Sequence, residues 1–490
     1  MSVLDVARGA YVRLPPSARN CLGRVLQFVP TSLKFGKTYR HWRRQIDRAR
    51  TDTAFVKAYR REALIDVLDR AARLSPYYAR TIGPIVDGAP EQALPGSEAW
   101  LKIPVLTRQT VVDNLDGMST VPLRELDRVS TDGSSGEPLV FRLDRNRSPI
   151  EYAFVHDAWA RSGFTATDWR AVFRGLDLGK GETRDMEIEP ALKELRLSVF
   201  HLNDESMARY LAAIRERNIE FIYGYPSAIA IFCDFLERTG AAPLRQIRGV
   251  LPISERIYPH QRTLMTRAFD HAVIVPFYGM SEKVAFAIER PDEPETYEFN
   301  PLYGYTELLD EHDQPVTTPG HVGRVVSTGL LFRGMPLIRY DTRDEAELVE
   351  LPSEANGYRL VLKNLSPRRD SEYVVGRSGT LIPFCGLCVP VDNQNRVREV
   401  QFYQDTPGEV ELRVVVADGH SPDLSDYLER MAQRSGSDLT LNLQLVDRLP
   451  MTNRGKRKFI DQRLPLSLLH EAPGEQIVIP PEKLKDPSFA

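Results

Sequence analysis

Four polar stretches of this 490-residue chain hold side chains that could do chemistry. In STDGSSGEP (130–138), hydroxyl residues surround two glycines ahead of a proline. Glycines let a backbone curl so that successive N–H groups point inward at an anion, and the hydroxyls add donors, so the stretch could cradle phosphate. A surface turn calls for the same residue types. In FYGMSEK (277–283) an aromatic ring could stack on a base, a serine could bond phosphate, and a glutamate could hold a magnesium ion that bridges phosphates. A strand-terminal turn with one exposed glutamate is the plainer reading. LIRYDTRDEAEL (337–348) reads as a sharp turn between two strands, where Asp344 could accept both hydroxyls of a ribose; a charged hairpin would look the same. In LPMTNRGKRKF (449–459), Gly455 frees the loop and Lys456 sits at its tip, suited to negative charge growing on an α-phosphate or simply to solvent.

The elements that must position these stretches are legible in outline. The first hundred or so residues read as largely helical, as in DTAFVKAYRREALIDVLDRAARL, where apolar residues recur every three or four positions. RELDRV reads as a strand before the glycine-rich stretch, and LVFRL as an apolar run after it. IEFIY (219–223) reads as a buried strand followed by a helix with Pro226 in its first turn and Gly240 at its end. VIVPFY (273–278) and GRVVSTGLL (323–331) read as further buried strands. This alternation predicts an α/β fold with a large multi-layer N-terminal domain over 1–376, its basic helical segment covering about 1–100. Beyond it, VREVQFYQ, VELRVVVA, a helix in SPDLSDYLERMAQRSG with Ser421 as N-cap and Pro422 in its first turn, and LNLQLV give a β-β-α-β order. We read a small mobile α+β C-terminal domain over 377–471 and an irregular, proline-rich tail over 472–490.

Composition narrows the classes. The apolar and charged fractions, 42% and 27%, are those of an ordinary globular protein, and a net charge of −3 gives no general pull toward nucleic acid, which we do not expect as a partner. No apolar run has a membrane-spanning length and no signal-peptide pattern opens the chain. Four cysteines are too few for a disulfide framework, so the expected setting is reducing and cytoplasmic. The lone pair Cys385 and Cys388 has no second cysteine pair or histidine cluster to complete a zinc site. Residues 1–50 carry 11 Lys/Arg against 2 Asp/Glu. That bias suits either peripheral contact with an anionic membrane or a solvated helical face.

Taken in order, TDGSSGEP, YGMSE, RYDTRD, GR and PMTNRGK resemble the ordered signatures of the adenylate-forming ligases over residues 100–460. PVLTR (104–108), GYPSAI (224–229) and MPLIRY (335–340) are similar to the phenylacetate–CoA ligase branch, and within it to the CapK-like ligases associated with capsular polysaccharide genes. The resemblance implies a two-step reaction. A carboxylate attacks the α-phosphate of ATP to give an acyl-adenylate and pyrophosphate, and an acceptor then takes the acyl group and releases AMP. Carried over, Thr131, Gly133, Ser134, Ser135 and Gly136 wrap the β- and γ-phosphates. Tyr278 stacks on adenine beside Gly279, Ser281 contacts phosphate, Glu282 helps bind Mg2+, and Asp344 holds the ribose with Arg377 assisting. Lys456 drives adenylation from a C-terminal domain that rotates afterwards about a hinge near Arg377–Thr380. For the acid itself we expect a pocket at Tyr223, Gly224, Tyr225, Pro226, Ser227 and Phe277, near Leu251–Glu255 and Val275–Met280, with His201 as a polar neighbour or a structural residue.

This sequence departs from the family pattern in places. Asp132 and Glu137 add negative charge to the phosphate loop, Arg343 stands where glycine is common, and Ser378, Gly379 and Thr380 replace the usual acidic hinge residue. Three functions follow. The first is an AMP-forming ligase that passes its acyl group to coenzyme A. The second is a CapK-like ligase that passes it to an amine in polysaccharide biosynthesis. The third is a nucleotide-binding regulatory protein that has lost turnover.

Overall fold

The computed structural model describes residues 11, 14, 16–130, 139–175, 185–199, 202–255, 257, 259–366, 373–378, 381–383, 397–416, 424–447, 449 and 460–464. The glycine-rich loop 131–138, His201, Gly379, Thr380, Cys385, Cys388, Ser421, Pro422, Gly455, Lys456 and the tail lie outside the described residues.

The N-terminal region is helical as its periodicity predicts. The Thr53–Leu74 helix buries Val56, Ala63, Leu64, Val67, Leu68 and Ala71 on one stripe. Its N-cap, Asp52, accepts from the Phe55 amide, an arrangement worth about 1 kcal/mol. Strands β1 (Leu126–Ser130) and β2 (Val140–Asp144) form a hairpin in register Ser130↔Val140, so the glycine-rich loop connects its two strands.

A six-stranded sheet follows, built from β3 (Arg170–Arg174), β4 (Met186–Glu189), β5 (Glu194–Ser198), β6 (Phe221–Gly224), β7 (Gly249–Pro252) and β8 (Val273–Ile274) in the order β4-β5-β3-β6-β7-β8. Its strands are parallel except β4. Alternation sorts its side chains. Ala171, Phe173, Ile222 and Val250 join one apolar cluster with the Asp204–Glu216 and Pro226–Arg238 helices, while Val172, Tyr223 and Leu251 join another on the opposite face. Pro226 sits in the first turn of its helix and Gly240 adopts a positive φ just beyond the end, as expected.

The second sheet has seven strands: β9 (Phe277–Gly279), β10 (Phe286–Arg290), β11 (Glu293–Phe299), β12 (Gly304–Leu309), β13 (Val322–Gly329), β14 (Tyr340–Glu350) and β15 (Val361–Ser366), ordered β12-β13-β14-β15-β11-β10-β9. It curls until its ends approach. A Cβ at Gly304 of β12 would lie 2.0 Å from the carbonyl oxygen of Val284, in the link between β9 and β10, so only glycine fits there. The Arg147–Trp159 helix lies between the two sheets, with Trp159 against Tyr223 (ring centroids 4.9 Å apart) and Phe154 against Phe286 (5.9 Å).

Two sequence expectations change here. VIVPFY is not one buried strand. It breaks at Val275–Pro276, with β8 ending the parallel sheet and β9 beginning the curled one, and Val273 is 41% exposed. Proline has no N–H for a ladder and marks the change of sheet. Nor does LIRYDTRDEAEL turn between two strands. Residues 340–350 form one strand, and Arg343 takes a left-handed φ of 63° where the pairing with β13 shifts register. The sequence there mixes turn-forming and strand-forming residues because the strand is bulged.

The hairpin β16 (Tyr373–Val375) and β17 (Leu381–Pro383) is followed by β18 (Val397–Thr406), β19 (Glu409–Val416), the Ser425–Ser435 helix, β20 (Thr440–Leu445) and β21 (Ile460–Gln462). The last four strands make a sheet in the order β20-β19-β18-β21. The β-β-α-β order is as read, while the helix begins at Ser425 with Leu424 as its N-cap.

Candidate active site

Two of the polar stretches converge through strand β14, and the hairpin that flanks a third is anchored at the approach to it. The buried Asp344 accepts a hydrogen bond of 2.5 Å from the Tyr278 hydroxyl on β9, although three strands separate β9 from β14 in the sheet. A second bond of 3.0 Å runs from the Tyr340 hydroxyl of β14 to Glu282 Oε1, just beyond β9. Only a curled sheet allows both. The hairpin that carries the glycine-rich loop is anchored at the approach to β14. The Gly334 amide donates to Asp144 (3.1 Å) and the Arg142 amide to the Met335 sulfur (3.3 Å).

The surroundings of β14 explain several motif residues that touch no substrate. Leu106 of PVLTR forms a parallel bridge to Tyr340 and exchanges hydrogen bonds with Arg339 and Asp341, pinning the strand's start. The Arg339 side chain is buried in an ion pair with Glu307 (2.8 Å), and it also donates to the carbonyls of Ile103 (2.6 Å) and Trp100 (3.4 Å). The arginine of MPLIRY thus ties the helical region to the curled sheet five residues before Asp344.

Electrostatics give each site group a character. Burial first, and then the charge and hydrogen bond of Asp344, push the Tyr278 phenol well above its ordinary range, so it acts as a donor. Lys283, with a left-handed φ of 58°, reaches away to Glu151 (2.7 Å), which also accepts from the Tyr303 hydroxyl (2.6 Å). Gly279 is exposed and Ser281 partly so at the mouth of this cluster. Among the described residues no group of three or more His, Cys, Asp or Glu gathers as a self-sufficient metal site. One partly exposed carboxylate, Glu282, fits the way Mg2+ is ordinarily held, by one or two carboxylates together with water and substrate phosphates.

The strand ends that carry part of the expected acyl pocket lie side by side. Parallel pairing sets Tyr223 beside Leu251 and Gly224 beside Pro252, and the Val275 amide donates to the Val250 carbonyl, so the ends of β6, β7 and β8 are neighbours. A Cβ at Gly224 would fall 2.2 Å from the Phe173 carbonyl, and the same close approach lets the Tyr225 amide bond that oxygen at 2.9 Å. Tyr225 precedes Pro226 and Ser227 in the helix's first turn. Phe277 stacks on Phe286 at 5.0 Å. Arg377 lies elsewhere in this structure: its guanidinium donates to the Ser437 carbonyl and the Thr440 hydroxyl, both at 2.6 Å. The phosphate-loop residues Thr131, Gly133, Ser134, Ser135 and Gly136, and Lys456, fall outside the described residues.

Sequence reading missed Tyr340, Glu151 and, most notably, Arg174. The last ends RAVFR, where period-two spacing puts Arg170, Val172 and Arg174 on the face toward the Arg147–Trp159 helix. That alternation was the available signal.

Comparison with known proteins bears out the motif resemblance. Residues 375–463 match the family model of the CapK C-terminal domain. Protein CapK of Staphylococcus aureus is 20% identical over 367 residues, covering 73% of this chain and 79% of that one. The phenylacetate-coenzyme A ligase of Aromatoleum evansii is 26% identical over 294 residues, or 58% of this chain and 63% of the relative. Among solved structures, 2-hydroxyisobutyryl-CoA ligase in complex with 2-HIB-AMP and CoA superposes with a TM-score of 0.52 at 17% identity, covering 83% of this chain and 89% of that one. That likeness establishes the fold, a large α/β N-terminal domain followed by a small α+β C-terminal domain.

Proposed function

We propose that this chain is an ATP-dependent, AMP-forming carboxylate ligase that makes an acyl-adenylate and passes the acyl group to coenzyme A. The observation that carries this reading is the pair of hydrogen bonds, Tyr278 to Asp344 and Tyr340 to Glu282, which joins the residues that the motif resemblance assigns to base, ribose and metal, with the anchor of the glycine-rich hairpin at the approach to the same strand. Names of the relatives support it, since phenylacetate-coenzyme A ligases and CapK align with this chain.

The residues divide the work. Tyr278 presents its ring to adenine, and its hydroxyl holds the Asp344 carboxylate in place to accept from the ribose hydroxyls. Tyr340 fixes the Glu282 carboxylate, the residue that would hold Mg2+, and the ion when bound supplies neutralising charge to the phosphates. Attacking carboxylate and triphosphate are both anionic, so the reading assigns Lys456 and the 131–136 loop to stabilise charge at the α-phosphate and beyond it. The Arg377–Thr380 segment is the hinge in this reading, with the domain boundary at 376.

Carboxylate-dependent ATP–pyrophosphate exchange across aryl, fatty, amino and uronic acids tests the proposal. Exchange with one acid class, reduced about 10²-fold or more in Lys456→Ala, is the expected result. Tight ATP binding without exchange for any acid would favour the regulatory reading instead. A second reading has an amine as the acceptor, as in the CapK-like alternative, and the match of the C-terminal residues to the CapK domain supports that branch. Thioester formation and a CoA-dependent rise in AMP release distinguish coenzyme A, because amide formation is indifferent to it.

A further inference from the structure

Two arginines leave β3 on one face and flank one tyrosine ring. Arg170 lies 5.9 Å from the centre of the Tyr223 ring and Arg174 lies 5.5 Å from it. Arg170 is neutralised, since it is buried against Glu194 at 2.6 Å. Among the described residues, no carboxylate forms an ion pair with Arg174. It donates instead to the Tyr223 hydroxyl (3.1 Å), bonds the Tyr225 hydroxyl and faces Tyr152 of the Arg147–Trp159 helix. Its Nε is buried and lacks a hydrogen-bond partner among the described residues.

Other largely buried arginines in or beside the two sheets meet acids: Arg196 of β5 with Glu194, Arg339 just before β14 with Glu307, and Arg262 of the Pro259–Ala268 helix with Glu289 of β10. A partly buried cation among neutral hydroxyls carries a desolvation cost that an anionic ligand would offset. Its position says which ligand. Arg174 ends β3, and β6 and β7 separate that strand from β8, where the chain crosses toward Tyr278. Three strand spacings come to about 14 Å, partly spanned by the arginine side chain itself. Tyr223, on β6, and Tyr225, just after it, belong to the first strand of that interval and meet Arg174 through their hydroxyls.

We propose that Arg174, with the hydroxyls of Tyr223 and Tyr225, binds a second anionic group on the acid substrate, at the far end from the carboxyl that is activated. The substrate class is then a carboxylic acid with a distal carboxylate or phosphate, separated by one ring or a chain of similar length. This rests on the ligase reading for which carboxyl reacts, while the anion site itself stands on the geometry of β3 and β6.

Each acid is offered as the free diacid, as its half-ester and as a phospho-substituted analogue, to wild type, Arg174→Leu and Arg174→Lys. Equilibrium binding is read by calorimetry and turnover by pyrophosphate exchange. Charge-assisted hydrogen bonds of this kind predict that the wild-type protein prefers the dianionic acid over the half-ester by about 10- to 100-fold. The preference collapses in Arg174→Leu and is partly restored in Arg174→Lys. Comparison of the carboxylate and phosphate forms identifies the distal group. Equal binding of diacid and half-ester, or a proportional loss with both in Arg174→Leu, overturns the proposal and makes Arg174 structural. Exchange without that preference overturns the anion site and leaves the ligase reading intact. An Arg174-dependent preference in binding without any exchange supports the site and defeats the ligase reading.

Discussion

The two sheets of the large domain treat their tyrosines in opposite ways. In the curled antiparallel sheet and its neighbours, hydroxyls are donated to carboxylates: Tyr278 to Asp344, Tyr340 to Glu282, Tyr303 to Glu151. At the ends of the parallel sheet the Tyr223 hydroxyl accepts from a cation, Arg174. One half of the candidate site is therefore built around fixed negative charge, suited to ribose hydroxyls and a metal ion. The other half is built around positive charge, suited to an anion. The Arg147–Trp159 helix lies between the two sheets and reaches both, with Glu151 accepting from Lys283 on one side and Tyr152 within electrostatic reach of Arg174 on the other.

If that division is correct, groups that hold the sheets should move stability, and groups at their open ends should move binding. The largest effect is expected at Arg339. Its replacement by alanine leaves Glu307 buried without its cation and should cost about 3–5 kcal/mol, read from denaturant midpoints. A loss below about 1 kcal/mol would mean that this pair does not anchor the curled sheet.

Next comes His156, on the helix between the sheets. It shares a 3.0 Å hydrogen bond with the Tyr39 hydroxyl, and burial, then Arg170 and Arg43, push its imidazole down to about 3. The unfolded chain takes up a proton near the ordinary histidine value that the folded chain refuses, so this contribution to stability falls as pH drops from about 6.5 toward 3. Going from pH 7 to 4.5 should remove roughly 2–3 kcal/mol through this group. The slope should flatten in His156→Gln; an unchanged slope would show that other groups set it.

The smallest effect sharpens the comparison most. Asp344→Asn should raise the KM for ATP about tenfold, the size of one charge-assisted hydrogen bond, while stability stays within about 1 kcal/mol of the parent. Equal damage to both would place Asp344 with Arg339 among the structural groups.

Local order was legible in the chain. The apolar stripe of the Thr53–Leu74 helix, Pro226 at a helix start and the strand before the glycine-rich loop follow from periodicity and turn chemistry. Long-range closure was not. Tyr278 and Asp344 are 66 positions apart, and nothing in either segment encodes that the sheet curls far enough to join them. VIVPFY is apolar enough for one strand, and only the missing N–H of Pro276 hinted that two sheets share it. Nothing in the sequence singles out Arg174, because the absence of an ion-pair partner for it among the described residues is a fact of packing.

The central claim is that a carboxylate oxygen attacks the α-phosphate of ATP, and isotope transfer tests it most directly. With an 18O-labelled acid, ATP, Mg2+ and the acceptor, the account predicts that each AMP formed carries one heavy oxygen, since the acceptor displaces AMP by breaking the bond between the acyl carbon and that oxygen. Heavy oxygen in orthophosphate alongside ADP, or AMP without label, would contradict it.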